Sequence, residues 1–346
     1  FQLILAVESK IMTKTKEIAK ERLGIDMNGK YELPVSNSLV TDIPSFPGPV
    51  CCGISTFVIP RHPEWPSTNF YPCGFFTMTK QQQQQQSMTV GKDDGNDEDD
   101  GNATTTSTNT NLFGSEESNA ALKEFLSSKD QSSSSPPVYL GWGSMMVKDE
   151  KWMVQLAVEA LHRSGQRGII LGGWAGLTAE YVTDELKDYC EKNVLFVQSV
   201  SHEWLFPQCC CIVHHGGSGT TAASVRSRRP TIITPVVFDQ YDFADGINKI
   251  GCGIGFVSKQ LSSLNGVILG DAITKCITDE TILNAAKETG ALLQAENGCS
   301  NFCNVFDNWL VDSYLTGEWL QKHTALLRKC EESFEASTRH SSCLVS

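Results

Sequence analysis

Eight consecutive residues, His214-His215-Gly216-Gly217-Ser218-Gly219-Thr220-Thr221, end an apolar run with imidazoles, glycines and hydroxyls. An extended segment that exits into glycines and passes at once into a helix leaves the first helical N–H groups unpaired, at the positive end of the dipole. Glycines let a phosphate approach the backbone and hydroxyls add donors, so the physical reading is a diphosphate cradle. The plainer alternative is a tight turn with Ser218 or Thr220 as N-cap. The stretch has no P-loop lysine and does not match Gly-x-Gly-x-x-Gly in register, which disfavours Mg-nucleotide hydrolysis. His214 reads as a packed core histidine, and His215, next to the glycines, as a donor to a phosphate oxygen. Asp239-Gln240 follow the apolar stretch 231–238 and put a carboxylate beside an amide. That pair suits the hydroxyls of a bound sugar, whereas an exposed turn is the plainer alternative.

These residues need elements to hold them. Apolar β-prone runs at 138–141, 167–171, 194–197, 209–214, 231–235 and 255–257 alternate with helical patterns at 151–164, 179–191, 220–228, 242–250, 269–277, 282–293 and 303–314. Strands alternating with helices predict an α/β fold with a parallel sheet covered on both faces. Ligands of such sheets sit beyond the carboxyl ends of the strands. Four strand exits are unusual in composition: 141–144, 172–176, 214–221 and 238–240. Upstream, 10–23 reads as a helix, and 31–79 is rich in Pro with short strand-like pieces at 50–59 and 70–78.

Charge divides the chain. Of 346 residues, 28 are Lys or Arg and 40 are Asp or Glu, a net charge of −12. Residues 80–135 hold ten acids and four lysines, so they carry half of it, −6. Glutamines 81–86, the acidic run and the Thr/Asn and Ser runs cannot bury enough apolar surface to offset ordering, so 80–136 is expected to be a disordered linker with a weak helical patch at 120–127. No basic face is evident, so nucleic acid is not an expected partner. No apolar run approaches the roughly 18–20 residues of a membrane span. The start at Phe1 has no initiator Met and reads as the middle of a longer protein. The 13 cysteines are scattered without zinc-ligand spacing, and packing thiols in a reducing compartment are expected, with no metal.

With these residues in view, 194–240 resembles the donor-binding signature of UDP-glycosyltransferases, most closely the sterol 3-beta-glucosyltransferase branch. The resemblance rests on Ser201-His202-Glu203-Trp204-Leu205-Phe206-Pro207, His214 through Ala223, Arg229-Pro230-Thr231, Pro235 and Asp239-Gln240. Gly141-Trp142-Gly143-Ser144 resembles a further loop of that branch, Gly172-Gly173-Trp174 a turn, and 57–76 the end of the acceptor domain. Arg228-Arg229, where the family has a small Gly-Val-type turn, and Ser201 in place of Pro are departures.

The resemblance implies a GT-B fold. The expected organisation is an acceptor-domain remnant over 1–79, the linker 80–136, a complete Rossmann-like donor domain over 137–314 and a polar tail over 315–346. His215 and Gly217, Ser218, Gly219, Thr220 and Thr221 would hold the diphosphate. Gly143 and Ser144 would add contacts from the first strand exit, with Trp174 from the next. Val200, His202 and Trp204 would border uracil and ribose, and Asp239 and Gln240 would hold glucose. The implied reaction is inverting, metal-independent transfer of glucose from UDP-glucose to a sterol-type lipid hydroxyl, with no cofactor. The catalytic base belongs to a part of the acceptor domain that this chain lacks, so the chain alone is expected to be inactive. Expected partners are the UDP-sugar and a lipid or sterol acceptor, and the expected location is cytoplasmic or peripheral to a membrane. The alternatives are a non-catalytic nucleotide-sugar-binding or scaffold protein, or a glycosyltransferase with another lipid or polyketide acceptor.

Overall fold

The structure is a computed structural model and describes residues 48–61, 63, 69–77, 116–127, 135–145, 147–325 and 328. The helix expected over 10–23 and most of the linker and tail lie outside the described residues. Gly48–Lys322 form one compact unit. It opens with two short strands paired in parallel, β1 (Val50–Cys52) and β2 (Phe70–Pro72). Helix α1 (Glu116–Ser127) follows. Next come β3 (Val138–Gly141), α2 (Glu150–Ser164), β4 (Gly168–Leu171), α3 (Lys187–Asn193) and β5 (Val194–Val197). The short helix α4 (His202–Leu205) leads to β6 (Cys211–His214), α5 (Ser218–Arg226), β7 (Thr231–Ile233), α6 (Gln240–Ile250) and β8 (Gly253–Gly255). Helices α7 (Gly266–Thr278), α8 (Glu280–Ala295) and α9 (Gly298–Trp309) follow.

Strands β3 to β8 form one parallel sheet in the order β5-β4-β3-β6-β7-β8. Numbered within the sheet this is 3-2-1-4-5-6, the doubly wound Rossmann order. The chain runs outward from β3 in one direction and from β6 in the other. Register sets Gly141 beside His214 at the exits of these central strands. Alternate residues face opposite sides of the sheet. Val138, Leu140, Ile170, Val213 and Ile232 join a core under α2 and α7. Tyr139, Ile169 and Ile212 join the opposite core with Val197, Leu205 and Phe206. Ile233 packs with Ala222, Phe243, Ile247, Ala286 and Leu293.

Several elements differ from the sequence expectation. The 179–191 pattern is two 3-10 turns, Ala179–Tyr181 and Asp184–Leu186, followed by α3, because Val182 turns extended and buries its side chain. The last strand lies at Gly253–Gly255, two residues before the expected position. Inside the stretch read as linker, α1 is longer than the expected patch and docked. Leu122 is 2 % exposed in the core beside β5, with Phe125 and Leu126 packed against it. The Arg167 guanidinium lies 4.3 Å above the Phe125 ring and donates to the Phe125 carbonyl. Three apolar residues on one helical face suffice to hold a helix whose surroundings are polar.

The piece before the linker is clamped onto the C-terminal helices. The Glu296 carboxylate accepts from Ser55 Oγ at 2.9 Å and from the Phe75 N–H at 3.2 Å. Asn301 Nδ2 donates to the Cys73 carbonyl at 2.8 Å. Val58 and Phe75 are buried against Phe243 and Ala244. Trp319, in the expected polar tail, meets Trp309 at the end of α9, and Trp309 also touches Tyr314. Among the described residues no helix is long and apolar enough to cross a membrane.

Candidate functional site

The strand order reverses between β3 and β6, the point at which doubly wound sheets form a ligand crevice, and the most unusual residues of the sequence gather at the carboxyl ends of these strands. His214 ends β6 fully buried. Its Nδ1 accepts from the Gly216 N–H at 3.0 Å, so Nε2 carries the proton and donates to Thr231 Oγ1 at 3.1 Å. Thr231 in turn meets Ser224 Oγ at 2.6 Å, which ties β6, β7 and α5 together through a buried polar chain. Burial holds the His214 pKa well below the ordinary value. It is therefore the structural histidine that its position at the strand end suggested. Gly216 has φ +96°, and a Cβ there would lie 2.7 Å from Ile233 Cγ2. Both the backbone conformation and the space at this turn require glycine.

His215 turns the other way, into the crevice. A Cβ on Gly217 would sit 2.6 Å from its Nε2, and one on Gly143 3.4 Å from its Cε1. The ring thus lies between the exits of β3 and β6. Its Nδ1 is buried without a hydrogen-bond partner. An orphaned lone pair costs less than an orphaned N–H, so the favoured tautomer carries the proton on Nε2, the nitrogen on the open side. Burial lowers the His215 pKa, and the Asp239 charge partly opposes this. The ring is neutral at pH 7 and offers one N–H.

Gly217 is the N-cap of α5 and has no side chain to cap it. Ser218, Gly219 and Thr220 form the first turn, half-buried, exposed and half-buried. Their N–H groups have no acceptor within the helix. The capping role considered for Ser218 or Thr220 falls instead to glycine, which leaves the helix end open. A Cβ on Gly219 would meet nothing within 4 Å. Thr221 does not face this opening. It is fully buried and donates its hydroxyl to the Gly217 carbonyl at 3.0 Å.

From β7 the chain turns through 234–239 to α6. Gln240 is buried, and its Oε1 accepts from the Val236 and Val237 N–H groups at 2.8 and 3.1 Å. Its carbonyl oxygen is therefore spent on the loop, and only the amide nitrogen remains for a ligand. Asp239 is exposed and close enough for its charge to act on His215. At the β3 exit, Gly143 takes φ +61° and Ser144 is exposed. His202 stacks on Phe206 at 4.6 Å and shares a 3.1 Å hydrogen bond with the Tyr139 hydroxyl. Burial, with a further contribution from His215, pushes its pKa down to about 4. Val200 is buried and Trp204 packs on the same core. Trp174, in the 3-10 turn after β4, is 92 % exposed.

One supporting group escapes sequence reasoning. Trp142 is fully buried, and its indole N–H donates to Thr234 Oγ1 at 2.9 Å, bracing the β3 exit against the β7 exit. The flanking glycines drew attention to the loop, but nothing in the sequence linked Trp142 to Thr234. The two arginines at the family's small turn also have partners. Arg228 adopts φ +63° and donates to the Lys287 carbonyl, and Arg229 forks onto the Pro207 carbonyl at 3.1 and 2.7 Å. Among the described residues no group of three or more His, Cys, Asp or Glu side chains is placed to share a metal ion.

Residues 179–298 match the profile of the family described as the erythromycin biosynthesis protein CIII-like, C-terminal domain. Among curated proteins, the chain is 36 % identical over 161 residues to the sterol 3-beta-glucosyltransferase of Candida albicans. The match takes in 46 % of this chain and 10 % of that protein. It is 35 % identical over 190 residues to a sterol 3-beta-glucosyltransferase of Arabidopsis thaliana, 55 % of this chain and 28 % of that one. To the Saccharomyces cerevisiae enzyme of the same name it is 33 % identical over 218 residues, 63 % of this chain and 17 % of that one. The chain thus spans under a third of each of these relatives. Similar solved structures include the glycotransferase of kitacinnamycin, at TM-score 0.49 and 14 % identity over 75 % of this chain and 54 % of that one. Another is a UDP-glucose: anthocyanidin 3-O-glucosyltransferase in complex with UDP, at TM-score 0.44 and 17 % identity, covering 56 % and 44 %. The sequence matches bear out the resemblance drawn from the donor-site residues: the C-terminal half is similar to the glycosyltransferase domains of sterol 3-beta-glucosyltransferases.

Proposed function

From a C-terminal half that is a glycosyltransferase-type domain, we propose that the crevice between β3 and β6 binds a UDP-sugar. We take this chain as the donor-binding half of an inverting, metal-independent enzyme that transfers glucose to a sterol-type lipid hydroxyl. One observation carries the reading. An uncapped helix N-terminus, a neutral histidine with its N–H on the open side and an exposed carboxylate meet at the switch point of a doubly wound sheet. In this reading the N–H groups of Ser218, Gly219 and Thr220 and the Nε2–H of His215 donate to the diphosphate, and Asp239 accepts from a sugar hydroxyl. The Gln240 amide nitrogen donates beside it.

Inverting transfer breaks the bond from the anomeric carbon to the diphosphate oxygen as the acceptor oxygen attacks from the opposite face. Negative charge grows on the leaving diphosphate, and donors already fixed in place stabilise it without reorganising. Removing one such donor typically costs about 2.7–4 kcal/mol in the transition state. The acceptor hydroxyl must lose its proton to a base, worth about 10²–10⁴-fold. We assign that base to the part of the protein beyond this chain. Supplied without that base, the chain is then a donor binder with little turnover. Calorimetry of the chain with UDP and UDP-glucose, with and without EDTA, tests the proposal. Binding that survives the chelator is expected. Absence of binding, or loss on chelation, overturns it.

A further inference from the structure

Phe238 stands at the apex of the loop between β7 and α6 with φ +54°, the left-handed region that an L side chain enters at a cost. Its ring is 74 % exposed, so the strain is not offset by burial within the chain. The loop cannot relax, because Gln240 Oε1 holds the Val236 and Val237 N–H groups from beneath. A strained residue that gains nothing from its own fold is a reason to look for a ligand. The neighbours indicate which ligand. The next residue is the exposed carboxylate Asp239, whose charge reaches His215. Phe238 and Asp239 are consecutive and both exposed on one loop, and an aromatic ring and a carboxylate are the groups that suit the two surfaces of a hexose, its C–H face and its hydroxyls.

We propose that Phe238 is a specificity-determining residue that packs its ring on the sugar moiety of the bound nucleotide-sugar, while Asp239 takes the hydroxyls. The inference rests on the donor-site reading above and deepens it: Phe238 selects for the sugar and is indifferent to the nucleotide. UDP and UDP-glucose are the probes, titrated by calorimetry into the wild-type chain, Phe238→Gly, Phe238→Asn and Phe238→Tyr. Gly and Asn accept positive φ and lack the ring, so both variants fold with an unchanged or higher unfolding midpoint. Each is expected to weaken UDP-glucose by about three- to tenfold relative to UDP. Phe238→Tyr keeps the wild-type ratio. Equal effects on the two ligands, or none, overturn the proposal while leaving the donor site standing. A midpoint that falls in both Gly and Asn variants places the ring in the fold's own packing and also overturns it. A wild type that binds neither ligand removes the donor site itself, and this inference with it.

Discussion

Replacing His215 by Ala tests the site at its centre. In the free protein the ring is confined between Gly143 and Gly217, with Nδ1 buried and unpartnered. An orphaned buried polar atom costs about 1–3 kcal/mol. His215→Ala removes that penalty together with the ring's packing, so the two changes offset and stability moves by less than about 1 kcal/mol. Affinity moves much more. A hydrogen bond to a charged phosphate oxygen is worth about 1.5–3 kcal/mol, so UDP should bind about 10- to 150-fold more weakly. Proton linkage gives an independent check. The free ring's pKa lies below the ordinary histidine value. A bound diphosphate raises it, so binding takes up a proton, and affinity rises as pH falls from the bound-state pKa toward the free-state one. Calorimetry in two buffers of different ionisation enthalpy reads this uptake directly. Wild-type affinity in the variant, or the same proton count for both proteins, would refute the reasoning.

Other outcomes follow from the same geometry. Gly217→Ala puts a methyl 2.6 Å from His215 Nε2 and must displace the ring, whereas Gly219→Ala adds a methyl in open space. The first should lower UDP affinity about tenfold or more, and the second should leave chemical-denaturation stability unchanged or slightly raised. Trp142→Phe loses the bond to Thr234 and leaves a gap in a closed core. Urea unfolding should show a loss of about 2–4 kcal/mol. Acid should destabilise the fold in a defined window. His202 is held at about 4 and His214 well below the ordinary histidine value, both chiefly by burial, so the unfolded chain binds their protons first. Their contribution is complete above pH 6.5 and is lost as pH falls from 6.5 through 4. For His202 alone this is ~3 kcal/mol as an upper figure. A stability profile flat from pH 7 to 4.5 would contradict that assignment.

Glycine and histidine were the most informative residues in the sequence. The strand exits were marked because positive φ and close approach exclude most other residues, and Gly216 and Gly143 occupy such positions. His214 is buried, as expected of a core histidine, and His215, expected beside the glycines as a donor, lies between Gly143 and Gly217; adjacent residues leaving a strand point to opposite sides. Sequence could not say which end of a polar side chain was already spent. Thr221 and Gln240 look like their neighbours on paper, yet the hydroxyl of one and the carbonyl of the other close hydrogen bonds inside the protein. Such commitments depend on loop geometry, which periodicity does not encode. Leu122 was hidden for another reason: its surroundings are Ser- and Glu-rich, and the core it joins is gathered from Tyr139, Ile169, Val197, Leu205, Phe206 and Ile212, as much as ninety residues on.

The clamp formed by Glu296 has a topological consequence. Because Ser55 and Phe75 are bonded to Glu296 while Leu122 is buried beside β5, the described residues on either side of 78–115 are fastened to one body, so any length of chain joining them is an excursion closed at both ends. The entropy of closing such an excursion grows only logarithmically, by about 0.6 kcal/mol for each doubling of its length. Glutamine repeats and acidic insertions can therefore lengthen or shorten there at almost no thermodynamic penalty, which makes this a natural port for length variation. A protease cut within it should yield two fragments that co-migrate on a native column and separate only in denaturant.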